Sequence, residues 1–106
     1  MKRNNPPPEP IRDRSAILLI FMTSERIDPP KRVLVRTLAN SLQQDLGELL
    51  SVIILDEKSY PDIFQSFEIT INPTFVLLRK GYELWRHEGI PEENLLTLVY
   101  KRLILK

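Results

Sequence analysis

Residues 16–22, Ala-Ile-Leu-Leu-Ile-Phe-Met, are apolar at every position. A run without alternation suits a central strand covered on both faces, which points to the α/β class. A polar loop, 23–28, follows. Asp28 and Pro29-Pro30 then mark a helix start, because an acidic residue and prolines belong in a first turn. The residue before a proline avoids the α region, so the helix is predicted to begin at Pro30. Leu34, Leu38, Leu42 and Leu46 recur every four residues along it, Val35 and Ala39 widen the stripe, and Gly47 closes it. Residues 50–55 form a second apolar strand ending at Asp56. Residues 59–66 are predicted as a short helix, with Ser59 and Asp62 at capping-box spacing. Residues 74–79 and 83–88 flank a Lys80-Gly81-Tyr82 turn and predict a hairpin. Pro91-Glu92-Glu93 opens a last predicted helix, its acids suited to the positive end of the helix dipole, with Leu95, Leu98, Val99 and Leu103 as its inner face. The predicted order is β-α-β-α-β-β-α, without internal repeats.

The length of 106 residues corresponds to one domain, and 42% apolar with 27% charged residues is ordinary globular composition. A formal charge of +1 leaves no electrostatic footprint for nucleic acid or a membrane surface. Cysteine is absent, which removes disulfides, thiolate metal sites and cysteine nucleophiles together. His87 is the one histidine, so a multi-histidine metal site is excluded too, and neither a metal nor a cofactor is expected. Met1-Lys2-Arg3 is basic, but polar and proline residues follow it, and 16–22 is too short to span a bilayer. A cytoplasmic protein is expected. Four of the nine prolines fall in the first ten residues. Proline lacks an N–H donor, so residues 1–14 are expected to be a proline-rich flexible leader and 15–106 the folded domain.

The stretch Phe67-Glu68-Ile69-Thr70-Ile71-Asn72-Pro73-Thr74-Phe75-Val76-Leu77-Leu78-Arg79-Lys80-Gly81, with Gly89 beyond it, resembles the thioredoxin family. Thioredoxins have there an aromatic, a glycine, an isoleucine, a short spacer, a cis-proline, a threonine, four apolar residues, a basic residue and a glycine turn. The likeness covers roughly residues 16–103. It implies a thioredoxin-like fold with a four-stranded mixed sheet, the family's first strand and helix being missing. It also implies a cis bond before Pro73.

Three departures qualify the resemblance. Where thioredoxins carry Cys-x-x-Cys, this chain reads Thr23-Ser24-Glu25-Arg26-Ile27-Asp28-Pro29-Pro30, with Arg26 and Pro29 or Pro30 near the cysteine positions. Neither residue type forms a thiolate. The family's buried acid falls at about Ile20. The fifteen residues before Ala16 are too rich in proline to supply a strand and a helix. Thiol–disulfide oxidoreductase activity is therefore not expected, and no catalytic residue is assigned.

What the resemblance leaves is a docking surface. A tight turn at Asn72-Pro73 exposes backbone beside the loop, where the family pairs an extended peptide through main-chain groups. The expected partner-binding residues are Ser24, Glu25, Arg26, Ile27, Asn72, Pro73 and Gly89, and the expected partner is another protein or an extended peptide. A second surface is strand 50–55. With the family's sheet order it becomes an edge, and Val52, Ile53 and Ile54 bring no lysine or proline to blunt it. Either the leader folds over it around Ile11 or another chain pairs with it, as in a homodimer. The expected function is thus a redox-inactive protein-binding domain with a scaffold, assembly or regulatory role. The alternative is a cysteine-independent small-ligand or glutathione-type enzyme, for which Thr23, Ser24 and Glu25 are the available groups. Trp85 and His87 share one strand face, Trp85 under a helix.

Overall fold

A computed structural model describes residues 16–23 and 27–104. The leader assigned to 1–14, and Ser24, Glu25 and Arg26 of the docking surface, lie outside the described residues. The elements are β1 (Ala16–Phe21), α1 (Pro29–Leu46), β2 (Leu50–Leu55), α2 (Pro61–Ser66), β3 (Thr74–Arg79), β4 (Tyr82–Glu88) and α3 (Leu95–Ile104). The four strands make one mixed sheet in the order β2-β1-β3-β4. β1 runs parallel to β2 with Ala16 opposite Leu50, and antiparallel to β3 with Phe21 opposite Thr74.

Two helices cover one face of this sheet and one short helix covers part of the other. On the first face Leu18, Ile20, Phe75 and Leu77 pack with Val35, Ala39, Leu42 and Leu46 of α1 and Leu95, Val99 and Leu103 of α3. On the second face Phe21, Leu55 and Val76 pack with Phe64 of α2. The Phe21 and Phe64 rings meet edge to face at 4.9 Å, a favourable quadrupole arrangement. β1 is thus covered along its first face and, on the second, at its Phe21 end, while Ile17 at the other end stays 40% exposed.

Several boundaries and faces differ from the sequence reading. α1 begins at Pro29, one residue early, and its buried stripe is Val35, Ala39, Leu42 and Leu46. Leu34 is 43% exposed and Leu38 only partly buried, so the four-residue leucine row drifts off the contact line. The buried set follows the 3.6-residue helical period instead. α2 begins at Pro61 without a side-chain cap, and Ser59 takes no part as a cap. The turn before it is closed by the Asp56 carbonyl, which accepts the N–H groups of Ser59 and Tyr60. Tyr82 belongs to β4, opposite Arg79, so the hairpin turn is Lys80-Gly81 alone. Both turn residues have positive φ, as a two-residue type I′ turn requires. Glu92 and Glu93 precede α3 and lie exposed. Asn94 caps it instead, its Oδ1 accepting the Thr97 N–H at 3.1 Å. Leu98 is only partly buried, while Leu95, Val99 and Leu103 form the inner face.

Candidate functional site

β1 and β2 are parallel, so the loops that leave them emerge at one end of the sheet. β3 is antiparallel to β1, and the segment leading into it arrives at that same end. Three stretches distant in sequence thus converge: Met22-Thr23 after β1, Asp56-Glu57 after β2, and Ile71-Asn72-Pro73 before β3.

Thr23 is the residue on which they meet. Its N–H donates to Oδ1 of Asn72 at 2.7 Å, and its hydroxyl donates to Oε1 of Glu57 at 3.1 Å. Thr23 itself is buried, at 6% exposure, and is one of two buried polar residues among those described, Thr74 being the other. A buried polar residue is tolerated when its groups are paired, and both Thr23 groups are.

The turn at Asn72-Pro73 is braced from both sides. The peptide bond between the two residues is cis. Thr74 Oγ1 donates to the Ile71 carbonyl at 2.6 Å, and the Gly89 N–H donates to the Pro73 carbonyl at 2.6 Å. Gly89 has φ of +83°, a conformation that glycine adopts without steric cost. His87 also turns toward this corner, with Nδ1 at 3.1 Å from the Gly89 carbonyl. Trp85 packs against the core below, its ring centroid 6.0 Å from that of His87.

The expected docking residues divide on burial. Asn72 and Gly89 are partly exposed and Ile71 beside them is 43% exposed, so this corner reaches solvent. Pro73 is buried. Ile27 is 5% exposed and joins the main core, which corrects its assignment as a contact residue: it anchors the loop from beneath. Arg32 Nη1 donates to the Ile27 carbonyl, and the Asp28 carbonyl accepts the N–H groups of Lys31 and Arg32, so the loop runs firmly into α1. Ile20, at the place of the family's buried acid, is fully buried among apolar side chains.

Glu57 was not legible as a site residue. Its signal was positional: it follows a strand parallel to β1, and parallel strands deliver their trailing loops to one end. Gln43 was missed as well. Its Nε2 donates to the Leu50 carbonyl at 2.7 Å and its Oε1 accepts the Val52 N–H at 2.9 Å. These groups face away from β1, since alternate residues of a strand direct their main-chain groups to opposite sides and the Leu55 carbonyl accepts from Met22. Among the described strands β2 is an edge, as expected. The amide of Gln43 occupies the first half of that edge. The Val52 carbonyl and the main-chain groups of Ile54 are the portion left facing outward.

Glu68 stands where thioredoxins have glycine. Its φ is +56°, so the backbone there keeps the left-handed conformation without the residue that suits it. On β4 Glu83 and Arg86 form a bidentate ion pair at 2.8 and 3.0 Å, and Arg86 Nη1 also donates to the Phe67 carbonyl at 2.9 Å. The hydrogen bonds from Arg86 hold the Glu83 carboxyl below the usual glutamate range. No group of three or more histidine, aspartate or glutamate side chains placed to hold a metal occurs among the described residues. Nor is any described helix long and apolar enough to cross a membrane.

No protein-family model matches the chain. Over 69 residues it is 30% identical to the chloroplastic thioredoxin Y2 of Arabidopsis thaliana, an alignment covering 63% of this chain and 41% of that protein. The chain thus spans about two fifths of the curated relative it matches. Among solved structures, the germline-specific thioredoxin Deadhead of Drosophila melanogaster superposes with a TM-score of 0.73 at 21% identity, covering 89% of this chain and 87% of that one. Thioredoxin-2 of the malaria parasite, described as a component of its protein secretion machinery, gives 0.71 at 20% identity with 82% of each chain covered. Mitochondrial thioredoxin 3 of Saccharomyces cerevisiae gives 0.64 at 22% identity, covering 90% and 82%. The fold is thioredoxin-like, in a divergent chain that lacks the Cys-x-x-Cys motif.

Proposed function

We propose that this cysteine-free chain of thioredoxin-like fold is a redox-inactive protein-binding domain that holds an extended segment of a partner at the Asn72 corner, in a scaffold, assembly or regulatory role. The observation that carries the reading is the pair of bonds on Thr23. Thr23, which opens the stretch standing where the family keeps its thiols, is tied to Asn72 on one side and Glu57 on the other. A surface braced in this way is preorganised, and a preorganised surface loses little entropy on binding. Nothing in it can exchange electrons with a disulfide, because the chain has no thiol. Main-chain recognition of an extended peptide needs none.

The edge of β2 is the smaller of the two candidate surfaces, because the Gln43 amide already takes the Leu50 and Val52 groups. The chain's small net charge supports a protein partner over a polyanion. A cytoplasmic setting is part of the same proposal.

The test replaces Ile71 with a photo-crosslinking amino acid in the native host, with Thr37 on the exposed side of α1 as the control site. The expected result is a discrete protein captured from position 71 and not from 37, and diminished capture when Asn72→Ala is added. Equal capture from both sites, or disulfide reduction in an insulin assay with the purified chain, overturns the reading.

A further inference from the structure

The sheet face that carries α2 is covered at one end only. Along β1 the side chains of Ile17, Leu19 and Phe21 point to this face, since alternate residues share a side. At the far end Phe21, Leu55 and Val76 are at 5% exposure or less beneath Phe64 of α2. At the near end Ile17 is 40% exposed and Ile53 is 42% exposed, while Leu19 and Leu78 are half-buried. The registers make these four contiguous: Ile17 lies opposite Leu78, and Leu19 opposite Ile53. Leu19 and Leu78 pack at the margin of the Phe64 cluster, while Ile17 and Ile53 belong to neither buried cluster. Four aliphatic side chains side by side on a sheet face form an apolar patch that calls for cover.

Three considerations select the occupant. The first is size: two side chains about two fifths exposed and two half-buried ones offer far less than the roughly 800 Å² per partner that a stable complex buries. A second copy of the chain would have too little to hold. A tethered segment needs much less, because its effective concentration is in the millimolar range. The second is reach. Residue 15 is joined to Ala16, next to Ile17 itself. Ile11 is six residues from Ile17, a span of up to about 20 Å when extended. Ile53 lies only one strand across and two residues along from Ile17, about 5 Å and 7 Å. The third is chemistry. Pro6, Pro7, Pro8, Pro10 and Ile11 supply apolar surface interrupted only by Glu9. Prolines carry no N–H, so such a segment can lie flat on side chains, outside any ladder, with few donors left unpaired.

We propose that residues 6–11, Pro-Pro-Pro-Glu-Pro-Ile, lie across the open end of this sheet face and set Ile11 against Ile17 and Ile53. The proposal concerns a different surface from the Asn72 corner and stands or falls without it. Because the chain has no cysteine, an introduced pair reports proximity without competing thiols. The variant I11C/I53C of the full chain is equilibrated in a glutathione redox buffer beside I11C/T37C, Thr37 being exposed on α1 over the opposite face. The expected result is an intramolecular disulfide with an effective concentration at least about tenfold above the control pair. An effective concentration equal to the control overturns the proposal. So do disulfides that join two chains, which would make the occupant a second copy. If I53C fails to fold, I11C/S51C carries the same readout, since Ser51 is exposed beside Ile17 and adds nothing to the patch.

Discussion

The N–H of Thr23 and the side-chain oxygen of Asn72 meet at 2.7 Å across a sequence separation of 49 residues, and this bond joins the loop after β1 to the turn before β3. It is part-buried, so neither group has full access to water as a substitute partner. The binding surface proposed for this chain depends on it.

Asn72→Ala leaves the Thr23 N–H without its acceptor. An unsatisfied, partly buried donor costs about 1–3 kcal/mol. Urea unfolding of the variant is expected to show a loss at the lower end of that range, about 1–2 kcal/mol. Asn72→Asp retains an acceptor oxygen at the same reach and is expected to lose less than half as much.

Gln43→Ala frees the Leu50 carbonyl and the Val52 N–H at the edge of β2. The expected stability loss is about 1–2 kcal/mol, read by thermal or urea unfolding. The longer open edge should also self-associate more at high concentration, which light scattering reads. Gln43→Glu keeps the acceptor for Val52 and sets a carboxylate oxygen against the Leu50 carbonyl. It is expected to lose stability at neutral pH and regain part of it as the carboxyl protonates.

Glu68→Gly places at φ +56° the residue that adopts this conformation freely. Left-handed backbone costs a residue with a Cβ about 1–2 kcal/mol, and glycine returns about 0.5–1 kcal/mol of that through the unfolded chain. A net gain of about 0.5–1 kcal/mol in urea unfolding is expected, and a loss would show that the Glu68 carboxylate near Arg86 outweighs the backbone term.

The Glu83 carboxyl sits below its ordinary pKa because Arg86 hydrogen-bonds its charged form. A group depressed in the folded state stabilises the fold above its unfolded pKa, and that contribution fades as pH falls through the folded value. The pair is a partly exposed one, so its worth is at most about 1 kcal/mol. Glu83→Gln is expected to lower stability slightly at pH 7, by no more than about that amount. The difference from the unmodified chain should shrink below the usual glutamate range and vanish once the pH is below the lowered folded pKa of Glu83. A difference that stays constant to acid pH would assign the effect to packing instead.

The leucine row of α1 shows where reading the sequence stopped. Leu34 and Leu46 look alike in the pattern, yet one is 43% exposed and the other 8%. A four-residue spacing drifts around a 3.6-residue helix, and the line of contact is decided by where Leu18, Ile20 and Leu77 present their side chains. The start of α3 was misplaced for a related reason. Pro91, Glu92 and Glu93 suit a first turn, but the Asn94 side chain was free to accept the Thr97 N–H and set the start at Leu95, four residues later.

Local chemistry in the sequence by itself determined the unbroken apolar run of β1, the hairpin around Gly81, the order of elements and the absence of any thiol. Each rests on a short stretch of side chains or on a simple count, so no distant residue could change it. The tertiary structure alone decided that Thr23 would hold both Asn72 and Glu57, that Gln43 would cover half of an edge, and that Ile27 would be core and not surface. Those outcomes depend on which strand ends point the same way and how far a side chain reaches once they do. Hydrogen bonds and burial across such separations are made by folding, and no local pattern records them.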